Sequence, residues 1–104
     1  MSRPTDTARL QAQADGHWLV TGALVLDTVP ALWAERNRLL KPGQTVLDLQ
    51  GVERTDSAGV ALLVSLLREA RTSQTSLEFA NIPAQLRSLA RVSGVDDLLP
   101  ESRT

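Results

Sequence analysis

The fold is decided by one stretch of the sequence, VLDLQGVERTDSAGVALLVSLLREA (residues 46–70). It opens with a short apolar segment typical of a buried strand and, after a polar interval, continues as a longer apolar segment of helical length. A strand that leads directly into a helix is the repeating unit of α/β domains. We therefore predict a strand at 45–51, a loop at 52–57 and a helix at 57–72, with the strand buried on both faces.

The sequence before this stretch predicts a hairpin and a helix. ARLQAQADGHWLVTGAL (residues 8–24) alternates apolar and polar residues on both sides of Asp15-Gly16, which is a strong two-residue turn signal. DTVPALWAERNRLLKPG (residues 27–43) has helical spacing, with Thr28 as the expected cap and Pro30 in the first turn.

The sequence after it predicts one more strand and one more helix. SLEFANI (residues 76–82) has strand character, and NIPAQLRSLARVSG (residues 81–94) has helical spacing with a cap at or near Asn81. The final strand–helix–strand unit requires a right-handed crossover between parallel strands. We predict an α/β domain at 8–100 with helices packed on a small mixed four-stranded sheet, a flexible N-terminus at 1–7 and a polar tail at 101–104.

Composition and charge exclude several classes of function. The chain has 104 residues, a formal net charge of −1 and no cysteine, and its basic residues are dispersed. Nucleic-acid binding needs clustered Lys and Arg, and disulfides or thiolate chemistry need cysteine. The single histidine, His17, lies in a predicted strand, and no glycine-rich phosphate loop or acid pair is present. We expect no catalytic residues, no cofactor and no metal site, and therefore no enzyme.

The hydrophobic pattern indicates a soluble cytoplasmic protein. The longest wholly apolar run is Val60–Val64, far below the roughly 20 residues that cross a bilayer. The opening MSRPTDTARLQ lacks the apolar segment of a signal peptide.

Thr55-Asp56-Ser57 offers two interpretations. In the first, Asp56 or Ser57 caps the helix that follows, a role worth about 1 kcal/mol. In the second, Ser57 is a phosphoacceptor: phosphate would add a charge of about −1.5 to −2 at a helix N-terminus, which tolerates anions. Catalysis by Ser57 is poorly supported, because no base accompanies it and the sequence is not that of a nucleophile elbow.

The helix at 57–72 is apolar beyond one face. Val60, Leu63 and Leu67 share the expected core face with Val64. Leu62 and Leu66 lie on another side, with Leu62 about 200° round from Val60. Either another element of the domain covers these leucines or a partner protein does. We expect a docking surface with Leu62 as its apolar anchor.

The predicted interface combines this helix side with the preceding loop. It comprises Arg54, Thr55, Asp56, Ser57, Ala58, Gly59, Leu62, Leu66 and Glu69. Gly59 is expected to let the first helical turn approach the sheet closely.

The sequence of residues 46–70 resembles the signature of STAS domains, the family that includes the anti-sigma factor antagonists. That pattern is an apolar strand ending in Asp-Leu, a short loop, Asp-Ser/Thr, a small residue and Gly, then an apolar helix. The matching residues are Asp48, Leu49, Asp56, Ser57, Ala58 and Gly59. The order of elements over residues 8–99 is also similar, so the resemblance implies a STAS fold for almost the whole chain.

Three segments resemble the small cytoplasmic STAS subunits of ABC transporters that move phospholipid to maintain outer-membrane asymmetry: VPALWAERNRLL with Trp33, DSAGVALLVSL, and LARVSGVDDLLP. This resemblance implies that Ser57 and its helix face the transporter's ATPase subunit and, through it, the permease at the inner membrane. The alternative implied by the wider family is an anti-sigma factor antagonist, whose binding to an anti-sigma factor kinase is controlled by phosphorylation of Ser57.

Overall fold

The structure is a computed structural model that describes residues 6–102. The strands are β1 Ala8–Ala12, β2 His17–Leu24, β3 Gly43–Thr55 and β4 Thr75–Ala80. The helices are α1 Val29–Ala34, α2 Arg36–Leu39, α3 Ser57–Thr72 and α4 Ala84–Val92, with a 3-10 turn at Asp96–Leu98.

The four strands form one mixed sheet in the order β1-β2-β3-β4. β1 and β2 form the predicted antiparallel hairpin, but its connection is longer than the two-residue turn expected at Asp15-Gly16. The Gln13 backbone N–H donates to the His17 carbonyl oxygen at 2.9 Å, and Gly16 has a positive φ of 72° while Asp15 does not. β2 pairs with β3, and β3 with β4, in parallel. The predicted α/β class and mixed four-stranded sheet are confirmed.

The core lies between one face of the sheet and the helices. Leu47 and Leu49 of β3 and Phe79 of β4 are almost completely buried there, against Leu63 of α3 and Leu86 of α4. The prediction that β3 is buried on both faces is right only in part. Val46, on the face opposite the two leucines, is 5% exposed, but Asp48 and Gln50 on that same face are partly exposed and exposed, because the helices pack on the leucine side.

β3 is longer than predicted. It pairs with β2 as far as Leu24 opposite Thr55, so residues 52–55, predicted as loop, are strand. α3 begins at Ser57, as predicted, and only Asp56 separates the two elements. The strand thus delivers Thr55, Asp56 and Ser57 to the helix N-terminus in a fixed geometry.

The first predicted helix is divided. α1 ends at Ala34 and α2 begins at Arg36, because Glu35 (φ −93°, ψ 6°) leaves helical geometry. Pro30 lies in the first turn as predicted, but the Thr28 hydroxyl does not cap α1. It donates to the carbonyl oxygen of Ala23 at 2.6 Å instead.

α4 begins later than predicted. Its N-cap is Pro83 rather than Asn81. Asn81 adopts φ 55° and donates its side-chain amide to Asp48 Oδ1 at 3.0 Å, so it belongs to the turn that follows β4.

Ordered contacts extend beyond the predicted domain limits. The backbone N–H of Ser102 donates to the Phe79 carbonyl oxygen at 2.8 Å, which aligns residues 101–102 with the edge of β4. The Asp6 carboxylate pairs with Arg54. The remainder of the predicted flexible N-terminus and polar tail, residues 1–5 and 103–104, lies outside the described residues.

Within residues 6–102, none of the helices combines the length and the apolar character needed to cross a membrane.

Candidate functional site

The junction between β3 and α3 is anchored by Thr55. Its side chain is buried, with 4% exposed, and its hydroxyl donates to the Leu24 carbonyl oxygen at 2.9 Å. Its backbone N–H donates to Gln85 Oε1 of α4 at 3.1 Å. Thr55 therefore ties the junction to β2 and α4 and serves the fold rather than presenting a hydroxyl to a partner.

Asp56 fixes two connections with one carboxylate. Oδ1 accepts from the backbone N–H of Ala58 at 2.8 Å, which is the N-cap of α3. Oδ2 accepts from the backbone N–H of Leu26 at 3.1 Å, in the connection between β2 and α1. Of the two capping residues left open by the sequence, Asp56 is the one used. Because both oxygens accept backbone bonds, Asp56 is not arranged to act as a base toward Ser57.

Ser57 is the first residue of α3, and its side chain is exposed. Since Asp56 supplies the cap, the Ser57 hydroxyl is not required to start the helix. It stands, exposed, at the positive end of a helix of 16 residues.

Gly59 allows the first turn of α3 to approach β2 closely. A Cβ atom built on it would lie 2.2 Å from Thr55 Oγ1 and 3.2 Å from both Leu24 Cβ and the Leu24 carbonyl oxygen. These distances fit the sequence-based expectation of a close approach. Any other residue here forces the junction to move.

The predicted exposure of Leu62 and Leu66 is wrong. Their side chains are 4% and 2% exposed, and they face an interior region together with Leu10, Val20, Leu32, Leu39 and Leu47. The physical reason is that α1 packs on this flank of α3 and α4 packs on α3 as well, while α2 and the β1–β2 hairpin contribute Leu39, Leu10 and Val20 to the same interior region. The sequence left two alternatives for Leu62 and Leu66, cover by the same domain or by a partner protein, and the structure shows the first. Neither side chain is a docking anchor.

The remaining exposed side of α3 carries small and polar residues. Ser57, Ala61 and Arg68 are exposed and Ser65 is partly exposed. Val64 and Leu67, expected in the core, are only partly buried and border a depression together with Leu77 of β4 and Leu98 of the 3-10 turn. The side of α3 available to a partner is therefore less apolar than the sequence pattern indicated.

Arg54 and Glu69, the two charged residues of the predicted interface besides Asp56, also have intramolecular partners. Glu69 Oε2 accepts from Arg36 Nε at 3.1 Å. Arg54 forms an ion pair with Asp6. Arg54 is thus directed toward the N-terminal segment, and Glu69 toward α2.

Leu26 and Trp33 lie beside the exposed side of α3 and were missed by sequence reasoning. The Leu26 side chain is 68% exposed, and the Leu26 backbone N–H donates to the carboxylate of Asp56, the residue before Ser57. Trp33 is partly buried and lines a shallow cleft between α1 and α3 with Val29, Ala61 and Ser65. The sequence singled out Trp33 only within a segment that resembles the transporter subunits, and no local signal associated Leu26 with Asp56.

We group the residues of this cleft with the exposed or partly exposed residues around the start of α3 and call the set the α1–α3 surface. It consists of Leu26, Val29, Trp33, Ser57, Ala58, Ala61 and Ser65. It combines two apolar side chains, one aromatic ring and one exposed hydroxyl at a helix N-terminus. Within residues 6–102, no group of three or more His, Cys, Asp or Glu side chains is placed to hold a metal ion.

Comparison with known proteins gives a consistent result. A family model described as "Mlab, STAS domain" matches residues 9–100. The intermembrane phospholipid transport system binding protein MlaB of Escherichia coli (strain K12) is 30% identical over 82 residues, covering 78% of this chain and 84% of the relative. The same values hold for MlaB of Shigella flexneri.

Two solved structures share the fold. An anti-sigma factor antagonist from Mycobacterium paratuberculosis superposes with a TM-score of 0.73 at 23% identity, covering 100% of this chain and 92% of that one. The unphosphorylated anti-sigma factor antagonist SpoIIAA superposes with a TM-score of 0.67 at 16% identity, covering 91% of this chain and 87% of that one.

Proposed function

The chain belongs to the STAS domain family of the MlaB type, and on that premise we propose that it is the STAS subunit of an Mla-type ABC transporter for phospholipids. In this proposal it has no catalytic role. It binds the ATPase subunit (MlaF-like), which it regulates or stabilises, and through it associates with the permease (MlaE-like) at the cytoplasmic side of the inner membrane. The transporter maintains the lipid asymmetry of the outer membrane. The observation that carries the proposal is the 30% identity to MlaB over 84% of that protein's length.

We place the ATPase on the α1–α3 surface. From the predicted interface, Ser57 and Ala58 remain as contact residues because their side chains are exposed or partly exposed. The other residues of the junction act indirectly in this proposal, because they hold the start of α3 in place. Thr55 and Asp56 do so through hydrogen bonds and Gly59 through its close approach to Leu24. Leu26 and Trp33 replace the buried leucines as apolar anchors, since aromatic and apolar side chains near the centre of an interface contribute most of its binding energy.

The α1–α3 surface is large enough to form the centre of such an interface. The distance from Ser57 to Ser65 along α3 is about 12 Å at 1.5 Å per residue, and α1 adds a second row beside it. The chain exposes 6214 Å² in total. A standard interface takes about 800 Å² from each partner, or roughly one-eighth of that area.

A second function is supported by the position of Ser57. An exposed hydroxyl at the first residue of a long helix is accessible to a kinase, and phosphate is tolerated at that position electrostatically. In this alternative the chain is an anti-sigma factor antagonist whose binding to an anti-sigma factor kinase is controlled by phosphorylation of Ser57. The likeness to SpoIIAA concerns the fold alone and does not favour this alternative over the first.

Capture of the full chain from the membranes of its own organism tests the proposal. The tagged chain is expected to retain an ABC ATPase together with a permease, identified by mass spectrometry. Recovery of a serine kinase, with phosphate on the Ser57 peptide and no ABC ATPase, would support the alternative. Ser57→Asp should reduce capture of the ATPase, whereas Ser76→Asp, which adds the same charge at an exposed position of β4, should not.

A further inference from the structure

Arg36 makes three contacts, two with Trp33 and one with Glu69. Its guanidinium carbon lies 4.4 Å from the centre of the Trp33 ring. Its NH1 group donates to the Trp33 carbonyl oxygen at 3.1 Å, and its Nε donates to Glu69 Oε2 on α3 at 3.1 Å. The bond to Glu69 thus holds the guanidinium against α3. The same guanidinium stacks on the Trp33 indole and donates to a carbonyl group in the last turn of α1.

The break between α1 and α2 makes this arrangement possible. Glu35 leaves helical geometry, so Arg36 begins a new helical turn directly after the residue that follows α1. From there its side chain reaches back over Trp33. Trp33 also lines the cleft formed with Val29, Ala61 and Ser65, and Arg36 is not among the residues that line it.

We propose that Arg36, held by Glu69, is a positioning residue that fixes the Trp33 indole in the orientation in which the ATPase binds it. This inference rests on the proposed function. Arg36 acts through Trp33 and Glu69 acts through Arg36. The role of Glu69 at the interface is therefore indirect, whereas the sequence predicted Glu69 as an interface residue itself.

The physical argument concerns the cost of ordering a side chain. A partly buried indole that samples several rotamers must lose that freedom on binding, and each such immobilisation reduces affinity by about two- to tenfold. Stacking and the ion pair order Trp33 before the partner arrives. The Arg36 and Glu69 side chains are 29% and 37% exposed, and ion pairs this exposed add little to stability. Their loss should therefore affect binding more than folding.

The chain contains a matched control. Arg38 lies 5.0 Å from the centre of the Trp18 ring and pairs with Glu35, so it repeats the same local chemistry. Trp18 lies on β2 and borders a different depression, together with Gly16, Lys41 and Gln44. Arg38→Met therefore removes a similar stacked pair without touching the α1–α3 surface.

The experiment measures the Kd of the full chain for the purified ABC ATPase and the acrylamide quenching of Trp33 in a Trp18→Phe background. Arg36→Met should weaken binding about five- to tenfold, leave Tm within about 3 °C and increase quenching of the free protein. Arg38→Met should leave the Kd unchanged. In a Trp33→Leu background, Arg36→Met should cause no further loss of affinity.

Three results would overturn the proposal. Unchanged quenching in Arg36→Met would show that the indole is not held by Arg36. An equal loss of affinity with and without Trp33 would show that Arg36 contacts the partner directly. An equal loss in Arg38→Met would show a general effect of charge. If the wild-type chain does not bind the ATPase, the proposed function fails, and the quenching measurement alone decides whether Arg36 positions Trp33.

Discussion

Gly59→Ala tests the geometry on which the whole junction depends. In an ordinary helix interior this substitution stabilises by about 1 kcal/mol, because alanine restricts the unfolded chain. Here the added Cβ would lie 2.2 Å from Thr55 Oγ1 and 3.2 Å from two atoms of Leu24. Thr55 cannot yield freely, since its hydroxyl is buried and bonded to the Leu24 carbonyl oxygen at 2.9 Å.

The expected magnitude follows from three terms. Forcing one extra carbon into a packed site costs about 1–3 kcal/mol. Straining or breaking the Thr55–Leu24 hydrogen bond lowers stability by about 1 kcal/mol. The higher helix propensity of alanine raises stability by about 1 kcal/mol. The net loss is about 2 kcal/mol, equivalent to a fall in Tm of roughly 10 °C for a domain of this size.

Thermal and urea unfolding of the full chain measure this loss. Ala61→Gly on the exposed side of α3 is the control and should cost about 1 kcal/mol by propensity alone. Adding Thr55→Ala removes the atom nearest the new Cβ, so the double variant should lose less than the sum of the two single losses. An increase in Tm for Gly59→Ala would refute the close approach of α3 to β2.

Three further predictions concern neighbouring positions. Leu62→Ala should lower the free energy of unfolding, measured by urea titration, by about 2–5 kcal/mol, since the side chain is buried. Weaker ATPase binding with unchanged stability would instead show that Leu62 belongs to the interface. Asp56→Ala should cost about 1–2 kcal/mol and accelerate amide exchange at Leu26; unchanged exchange there would contradict the two-sided role of the carboxylate. Ser57→Ala and Ser57→Asp should both keep the wild-type Tm within about 3 °C, because Asp56 supplies the cap. The Asp variant should bind the ATPase more weakly than the Ala variant, and equal affinities for all three forms would remove Ser57 from the interface.

The strand–helix unit was predictable because its signals are local. The apolar run that became β3, the polar residues before α3 and the apolar residues within it each indicate one element. The end of β3 was not predictable, because residues 52–55 are polar and are held as strand by pairing with β2, as far as Leu24 opposite Thr55. That pairing is a long-range property.

The buried and exposed sides of α3 were predicted less well for the same reason. A helical wheel shows that Leu62 and Leu66 share a side, but not which element covers it. The cover comes from α1, α2 and the hairpin, which lie far away in the sequence. The Leu26 backbone N–H binds the carboxylate of Asp56, which lies thirty positions later in the chain. No local sequence pattern could associate these two residues.

The central claim is that the α1–α3 surface binds an ABC ATPase, and Ala61→Arg tests it most directly. Ala61 is exposed in the middle of this surface, and arginine is a good helix former, so folding should be unaffected. Ser88→Arg, at an exposed position of α4, is the matched control. Titration of the purified ATPase with each full-length chain should give wild-type affinity for Ser88→Arg and a loss of tenfold or more for Ala61→Arg, whereas wild-type affinity in both variants would contradict the claim.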